Sequence, residues 1–338
     1  MNSNKSSVGV GFQAAFKGAP VVILGGLGFI GSALARRLVD LGSDVLVVDN
    51  QLPGSGANPF NLNGLDKQLR VLAADIRDSD ALRPHLSGCK YLFNLAAQTS
   101  HQGSMAEPLL DLDVNCRAPL ALLELCRAVN PKINIVFAST RQVYGQPDYL
   151  PVDEKHPVRP VDVNGIDKLA GEEFHRLFHQ VYGIRCCSLR LTNTYGPGMR
   201  IADARQTFVG IWLHMILKGQ PFEVWGGDQL RDFTYVDDAA EAFLAAAVSD
   251  ASAGKVFNIG GNGAVTLRQL ADLVIAANGG GRYEIREFPA EHKRIDIGDY
   301  YSDDRLFRAA TGWMPRTSLT DGIAKSLAYF RANLSHYV

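Results

Sequence analysis

Three glycines, Gly25, Gly28 and Gly31, recur in GGLGFIG, directly behind an apolar run and at the mouth of a helical pattern. Glycine at such positions lets the backbone turn tightly and approach a pyrophosphate, while the N-terminus of the following helix favours negative charge. Phe29 and Ile30 sit inside the same turn, and Asp49, followed by Asn50, ends the next apolar run. A carboxylate there can accept hydrogen bonds from ribose hydroxyls and would repel a 2′-phosphate, which favours NAD over NADP. This set is read as a dinucleotide site. The other side chains with chemistry to offer lie downstream. His101 offers an imidazole, the side chain most suited to acid/base work, Thr140 offers a hydroxyl at the end of a strand-like run, and Lys168 follows Asn164 by four residues. That spacing puts the last two on one helix face.

The elements that must position these residues alternate in texture. Short β-branched runs at Pro20–Leu24, Asp44–Asp49, Leu69–Ala73, Tyr91–Leu95 and Ile133–Ala138 predict strands. Helical spacing separates several of them, at Ile30–Leu41 and Leu109–Val129, and a further helix through Ile166–Tyr182 leads into a strand at Ile184–Leu191. Strand, helix, strand in repetition predicts an α/β fold, a Rossmann-type doubly wound parallel sheet with both faces covered. After about Tyr195 the sequence turns rich in Gly and Pro and loses that regularity. A smaller α+β substrate lobe is expected there, at the C-terminal side, where open sheets place ligands. The expected organisation is a flexible tail over 1–18, an NAD-binding domain over 19–195, and a substrate lobe over 196–338 from which some segments return to the first domain. PFEVWGGDQLRDFTYVDDAAEAF reads as strand, turn and strand entering a helix that Asp237 and Asp238 would cap.

Composition narrows the class. With 338 residues, 46% apolar and 20% charged, the chain can bury a large core. A net charge of −1 without a basic block argues against nucleic acid. No apolar run approaches the roughly 18 residues of a membrane helix. The five cysteines, at 89, 116, 126, 186 and 187, have neither CxxC nor a His pattern, which points to reduced thiols of a cytoplasmic protein and to no metal site.

In order along the chain stand GGLGFIG, ADIRD (74–78), NLAAQ (94–98), FASTRQVYG (137–145), the Lys168 helix, LRLTNTYGPG (189–198) and RDFTYVDDAA (231–240). Together they resemble the extended short-chain dehydrogenase/reductase family, in particular its nucleotide-sugar epimerases and dehydratases, of the UDP-glucose 4-epimerase kind, over about Pro20 to Leu319. The resemblance implies that Asp75 and Ile76 border the adenine and that Leu95, Ala96 and Ala97 pass beneath the cofactor. It implies that Thr140 hydrogen-bonds the reacting sugar oxygen and that Lys168 holds the nicotinamide ribose. Asn193 and Arg231 would lie on the substrate side, with Arg231 on the diphosphate of a UDP- or dTDP-sugar, and Lys293 or Arg294 would fall near a second phosphate-binding position. A homodimer through the helices around 109–129 and 164–182 is the family's arrangement. Outside its motif, Arg231 would be read as pairing with Asp228 or Asp232 on a surface turn, and Thr140 as capping one.

The resemblance breaks at one catalytic position. The family's proton is moved by a Tyr one helical turn before the Lys, and here that position is Asn164, whose amide cannot act as a general base. A 4,6-dehydratase is disfavoured, because its acid pair after the catalytic Thr is replaced by Arg141 and Gln142. Three readings stay open: an NAD-dependent epimerase or dehydrogenase whose proton transfer has moved to His101 or Lys168; one in which Asn164 orients the substrate while Thr140 and water relay the proton; or an NAD- and nucleotide-sugar-binding protein of little turnover.

Overall fold

The computed structural model describes residues 7–52, 54–203, 207–289 and 295–338, without the side chains of 7–11. Its central sheet contains β1 (Pro20–Leu24), β2 (Asp44–Asp49), β3 (Arg70–Ala73), β4 (Tyr91–Asn94), β5 (Asn134–Thr140), β6 (Arg185–Leu191) and β10 (Lys255–Ile259). All pair in parallel, in the order β10-β6-β5-β4-β1-β2-β3. The strands are apolar because both faces are covered. Val21 and Ile23 enter one core with Val45 and Val47, while Val22 and Leu24 enter the opposite core with Leu46 and Val48. Period-two alternation of side chains therefore leaves no polar face.

On the first face lie α2 (Phe29–Asp40) and α9 (Val236–Val248), the latter contributing Phe243 and a run of alanines. The other face carries α3 (Ser79–Leu86), α6 (Ala118–Val129) and α7 (Val163–Tyr182). The strand order turns back between β1 and β4, and their carboxyl ends open the crevice in which such sheets bind ligands. A second core of Trp212, Phe222, Phe233, Tyr235 and Phe330 fills the later lobe around α8 (Phe208–Leu217) and α10 (Leu267–Asn278). Two small sheets complete that lobe. One has the order β11-β9-β7 and contains β7 (Asn193–Tyr195), β9 (Leu230–Tyr235) and β11 (Ala264–Thr266); the other pairs β8 (Phe222–Trp225) with β12 (Tyr283–Arg286).

Three expectations need correction. Residues 7–16 are not a loose tail: they form helix α1, whose Phe12 and Phe16, one turn apart, are buried against Tyr91 and the α9 side of the sheet. The glycines at 9 and 11 and the polar residues before them had hidden an apolar pair that gains roughly 1.5–3 kcal/mol per ring on burial. The helix expected over 109–129 is broken into α5 (Pro108–Leu112), a π-helical turn at Asp113–Arg117, and α6. Asp237 and Asp238 do not cap α9 but lie in its first turn; Tyr235 is the N-cap residue, and the Asp238 carboxylate instead accepts the backbone N–H groups of Arg316 and Thr317 at 3.0 and 2.9 Å.

Candidate active site

The cofactor end is built by backbone geometry. Gly25 has φ +77°, and a Cβ there would stand 2.8 Å from the Ala96 nitrogen; a Cβ on Gly31 would stand 2.3 Å from the Gly25 carbonyl oxygen. The glycines are thus required twice, to turn the chain and to let α2 start hard against the turn. Gly28 is the α2 N-cap, and Phe29 and Ile30 open the helix. Asp49 holds the turn in place: its Oδ2 accepts the Leu27 N–H at 3.1 Å and its Oδ1 the Gln51 N–H at 2.9 Å. Burial raises its carboxyl above the ordinary 3.8, and the two N–H groups oppose that shift. Asn50 donates to Asp75 at 2.7 Å, and Arg77 grips the same carboxylate, holding it well below its usual range. Ile76 is buried beside them, and Leu95, Ala96 and Ala97 continue from the end of β4 past the glycine turn. The cradle fits a dinucleotide pyrophosphate, because the tight turn between β1 and α2 brings bare backbone to the N-terminus of a helix.

The second group gathers where β5 ends. Lys168 is buried on α7, and its Nζ donates to the Ala138 carbonyl at 2.9 Å while lying 4.7 Å from the Phe137 ring centroid. Gly171, one turn on, lets α7 come this close: a Cβ there would stand 2.8 Å from the Phe137 ring. Burial pulls the Lys168 ammonium down to about 8, against the opposing pull of Asp111 and Glu172. Asn164 is buried too. Its Nδ2 donates to the Gln98 carbonyl at 2.8 Å and stands 3.4 Å from Asp111 Oδ2. Asn115, on the π-helical turn, donates to the same carbonyl and the same carboxylate, at 2.9 Å each. Asp167 joins them, its carboxyl raised by burial and by the adjacent Asp111. Thr140 Oγ1 accepts the Gln142 N–H at 3.2 Å, so it does cap the short 3₁₀ turn that follows β5.

His101 is the first residue of α4 (His101–Ala106), after the N-cap Ser100. Its Nδ1 lies 2.9 Å from Asp162 Oδ2, with the His side chain 39% exposed and the Asp fully buried. Asp162 is also the N-cap of α7, accepting from Gly165 at 2.7 Å, and it takes the Gln142 amide at 3.0 Å. Burial alone would raise this carboxyl; the His101 ring, the Gly165 N–H and the Gln142 amide outweigh it and hold it below 3.8. Sequence reasoning missed Asp162, Asp111, Asn115 and Asp167. Only the π-helical break at Asn115, invisible in a run of apolar spacing, would have marked this helix pair as a functional region.

Arg231 and Asn193 lie apart from this group, on β9 and β7. Arg231 is buried and pairs neither with Asp228 nor with Asp232: it donates to the Leu230 and Gly298 carbonyls and to Asp296 at 3.0 Å. Burial lowers its guanidinium below the ordinary 12.5. Asn193 donates to the Asp232 carbonyl at 3.0 Å. Lys293 and Arg294 lie outside the described residues. A buried bidentate pair, Arg190 with Glu172 at 2.6–3.2 Å, ties α7 to β6 behind the site. Among the described residues no three His, Cys, Asp or Glu side chains converge to hold a metal ion, and no helix is long and apolar enough to cross a membrane.

Comparison with known proteins places the chain by sequence and by fold. A putative UDP-glucose 4-epimerase of Methanocaldococcus jannaschii is 32% identical over 93% of this chain and 99% of its own length. The structure of a UDP-glucose 4-epimerase from Thermotoga maritima superposes with a TM-score of 0.84 at 30% identity, covering 93% of this chain and 99% of that one. A UDP-N-acetylglucosamine 4-epimerase from Methanobrevibacter ruminantium, solved with UDP-N-acetylmuramic acid, gives 0.86 at 28% identity, covering 94% and 99%. The model of the NAD dependent epimerase/dehydratase family matches residues 21–260. With the glycine cradle, Asp49 and the Lys168 helix in place on a doubly wound sheet, the chain belongs to the NAD-dependent epimerase/dehydratase family.

Proposed function

We propose that this protein is an NAD-dependent epimerase of nucleotide-diphosphate sugars, UDP- or dTDP-linked, in which the pair His101–Asp162 moves the proton that a Tyr moves in its relatives. The carrying observation is the 2.9 Å approach of His101 Nδ1 to a fully buried carboxylate. The Asp162 carboxylate stands within ion-pair reach of Nδ1, without the alignment of a hydrogen bond, and its negative charge favours the ring that has gained a proton, which Nε2 would exchange with a ligand. Bound NAD supplies the chemistry of accepting a hydride from a sugar carbon and returning it to the other face. The protein residues do the rest. His101 takes the hydroxyl proton and gives it back, and Thr140 orients the reacting oxygen. Asn164, where the Tyr is replaced, serves position rather than proton transfer: its amide is committed to the Gln98 carbonyl and Asp111. Lys168 holds the nicotinamide ribose and keeps the local potential positive. Arg231, with Asn193, faces the diphosphate.

The exposed apolar residues Leu109, Leu112, Ile166, Leu177 and Val181 on α5 and α7 support a homodimer through these helices, and the protein is assigned to the cytoplasm. The test is direct: purified protein is offered UDP- and dTDP-hexoses. An epimerised product with transient reduction of the bound cofactor is expected. Bound cofactor that stays oxidised while every sugar stays unchanged would refute the reading.

A further inference from the structure

We propose that Arg141 selects sugars that carry a carboxylate, an assignment that rests on the nucleotide-sugar reading above. Arg141 follows Thr140 at the end of β5, in the first position of the 3₁₀ turn that the Thr hydroxyl caps. Its guanidinium leaves the strand toward the later lobe and lies 5.6 Å from the ring centroid of the buried Tyr300. There it feels repulsion from Arg231 and attraction from Asp232 and Asp296. It is thereby set between the residue proposed to orient the reacting sugar oxygen and the residue proposed to face the diphosphate. A sugar spanning those two has to pass it.

Among the described residues no hydrogen bond or ion pair holds the guanidinium. Its Nε is buried without a hydrogen-bond partner, and its remaining contacts among the described residues are with the Tyr300 ring and through-space charge. The nearby carboxylates are already committed. Asp232 takes the Thr192 hydroxyl on Oδ1 and the Ser302 N–H on Oδ2 at 2.9 Å. Asp296 takes Arg231 on Oδ1 at 3.0 Å and the Gly298 N–H on Oδ2 at 3.1 Å. Burial, with Arg231 second, pulls the Arg141 guanidinium down to about 10, which leaves it cationic at neutral pH.

A planar cation with two parallel N–H donors matches a carboxylate or a phosphate, and with the diphosphate assigned to Arg231 the anionic group left for Arg141 is a carboxylate on the sugar. A hydroxymethyl group at the same place offers one oxygen and no charge. Buried donors that lack a partner discriminate strongly in favour of the ligand that supplies one.

The experiment measures binding of UDP, UDP-glucose and UDP-glucuronic acid to the NAD-loaded protein, its Arg141→Gln variant and its Arg141→Lys variant. The expected result is tighter binding of UDP-glucuronic acid than of UDP-glucose by the parent protein. Arg141→Gln should then lose about 10- to 100-fold for UDP-glucuronic acid alone, with UDP and UDP-glucose held within about twofold. Arg141→Lys, which keeps the charge but not the fork, should recover part of that loss. A parent protein that binds UDP and UDP-glucose without preferring the uronic acid overturns the assignment and leaves the epimerase reading standing. Equal losses for all three ligands overturn it as well, because Arg141 is then a diphosphate contact. Failure of the parent protein to bind any of the three overturns both readings.

Discussion

His101 Nδ1 lies 2.9 Å from Asp162 Oδ2, and the same Asp162 carboxylate caps the helix that carries Asn164 and Lys168. One buried acid therefore fixes both the ring proposed to move the proton and the start of the helix that places the rest of the site. The two roles separate by mutation, because Asn is as good an N-cap as Asp but carries no charge.

His101→Ala should lower kcat by about 10²–10⁴-fold, the usual range for a general acid/base, with substrate affinity nearly unchanged. Asp162→Asn should lower kcat by about 10-fold or more while thermal stability holds. In the double variant the Asp162→Asn substitution should add nothing, since it acts through a ring that is no longer there. Steady-state kinetics on the four proteins decide; additive losses would make Asp162 structural only.

Lys168 gives a pH signature. Burial holds its ammonium at about 8 rather than the ordinary 10.5, so folding disfavours its proton. The cost is present in full below about pH 8 and vanishes as pH rises toward 10.5, a rise in stability on the order of 3 kcal/mol from this residue. Lys168→Met should remove that rise. Urea unfolding of the NAD-free parent and variant across pH 7–10 checks it, and parallel pH dependences in the two would contradict it.

The glycine cradle predicts loss of cofactor without loss of fold class. A Cβ on Gly31 would press against the Gly25 carbonyl at 2.3 Å, so Gly31→Ala should displace the turn. The variant should purify with little or no NAD, read from the absorbance of acid-released nucleotide. Full occupancy in Gly31→Ala would show that the pyrophosphate lies elsewhere.

The pair Glu172–Arg190 is buried on both sides, with side-chain exposures of 0% and 7%. Glu172→Gln would strand the guanidinium and should destabilise by about 3–5 kcal/mol. Replacing both residues by Met should recover much of that, because a buried ion pair adds little over good apolar packing. Chemical unfolding of the single and double variants is the measurement.

Local chemistry explains what could be read from the sequence. The Gly25–Gly31 turn with Asp49 depends on backbone conformation and on the adjoining strand, both of which leave a mark within a few dozen residues. Apolar strands covered on two faces announce a parallel sheet in the same way. The partnership of His101 with Asp162, and of Asn164 with Gln98 and Asp111, joins residues about 50 to 70 positions apart, and no local pattern encodes it. Helix α1 escaped for a different reason: the glycines at 9 and 11 and the polar residues before it mask the apolar spacing of SVGVGFQAAF. The partner of Arg231, Asp296, lies 65 positions away on a distant loop, which no local pattern encodes either.

The central claim is transient hydride transfer within the bound cofactor, and it is tested most directly by turnover in deuterated water. Nucleotide sugars are incubated with the purified protein without added NAD, and the product is examined by proton NMR. The account predicts an epimer whose inverted carbon carries ordinary hydrogen, because the hydride leaves and returns without meeting solvent. Deuterium at the inverted carbon, the mark of removing and replacing a carbon-bound proton, would contradict it.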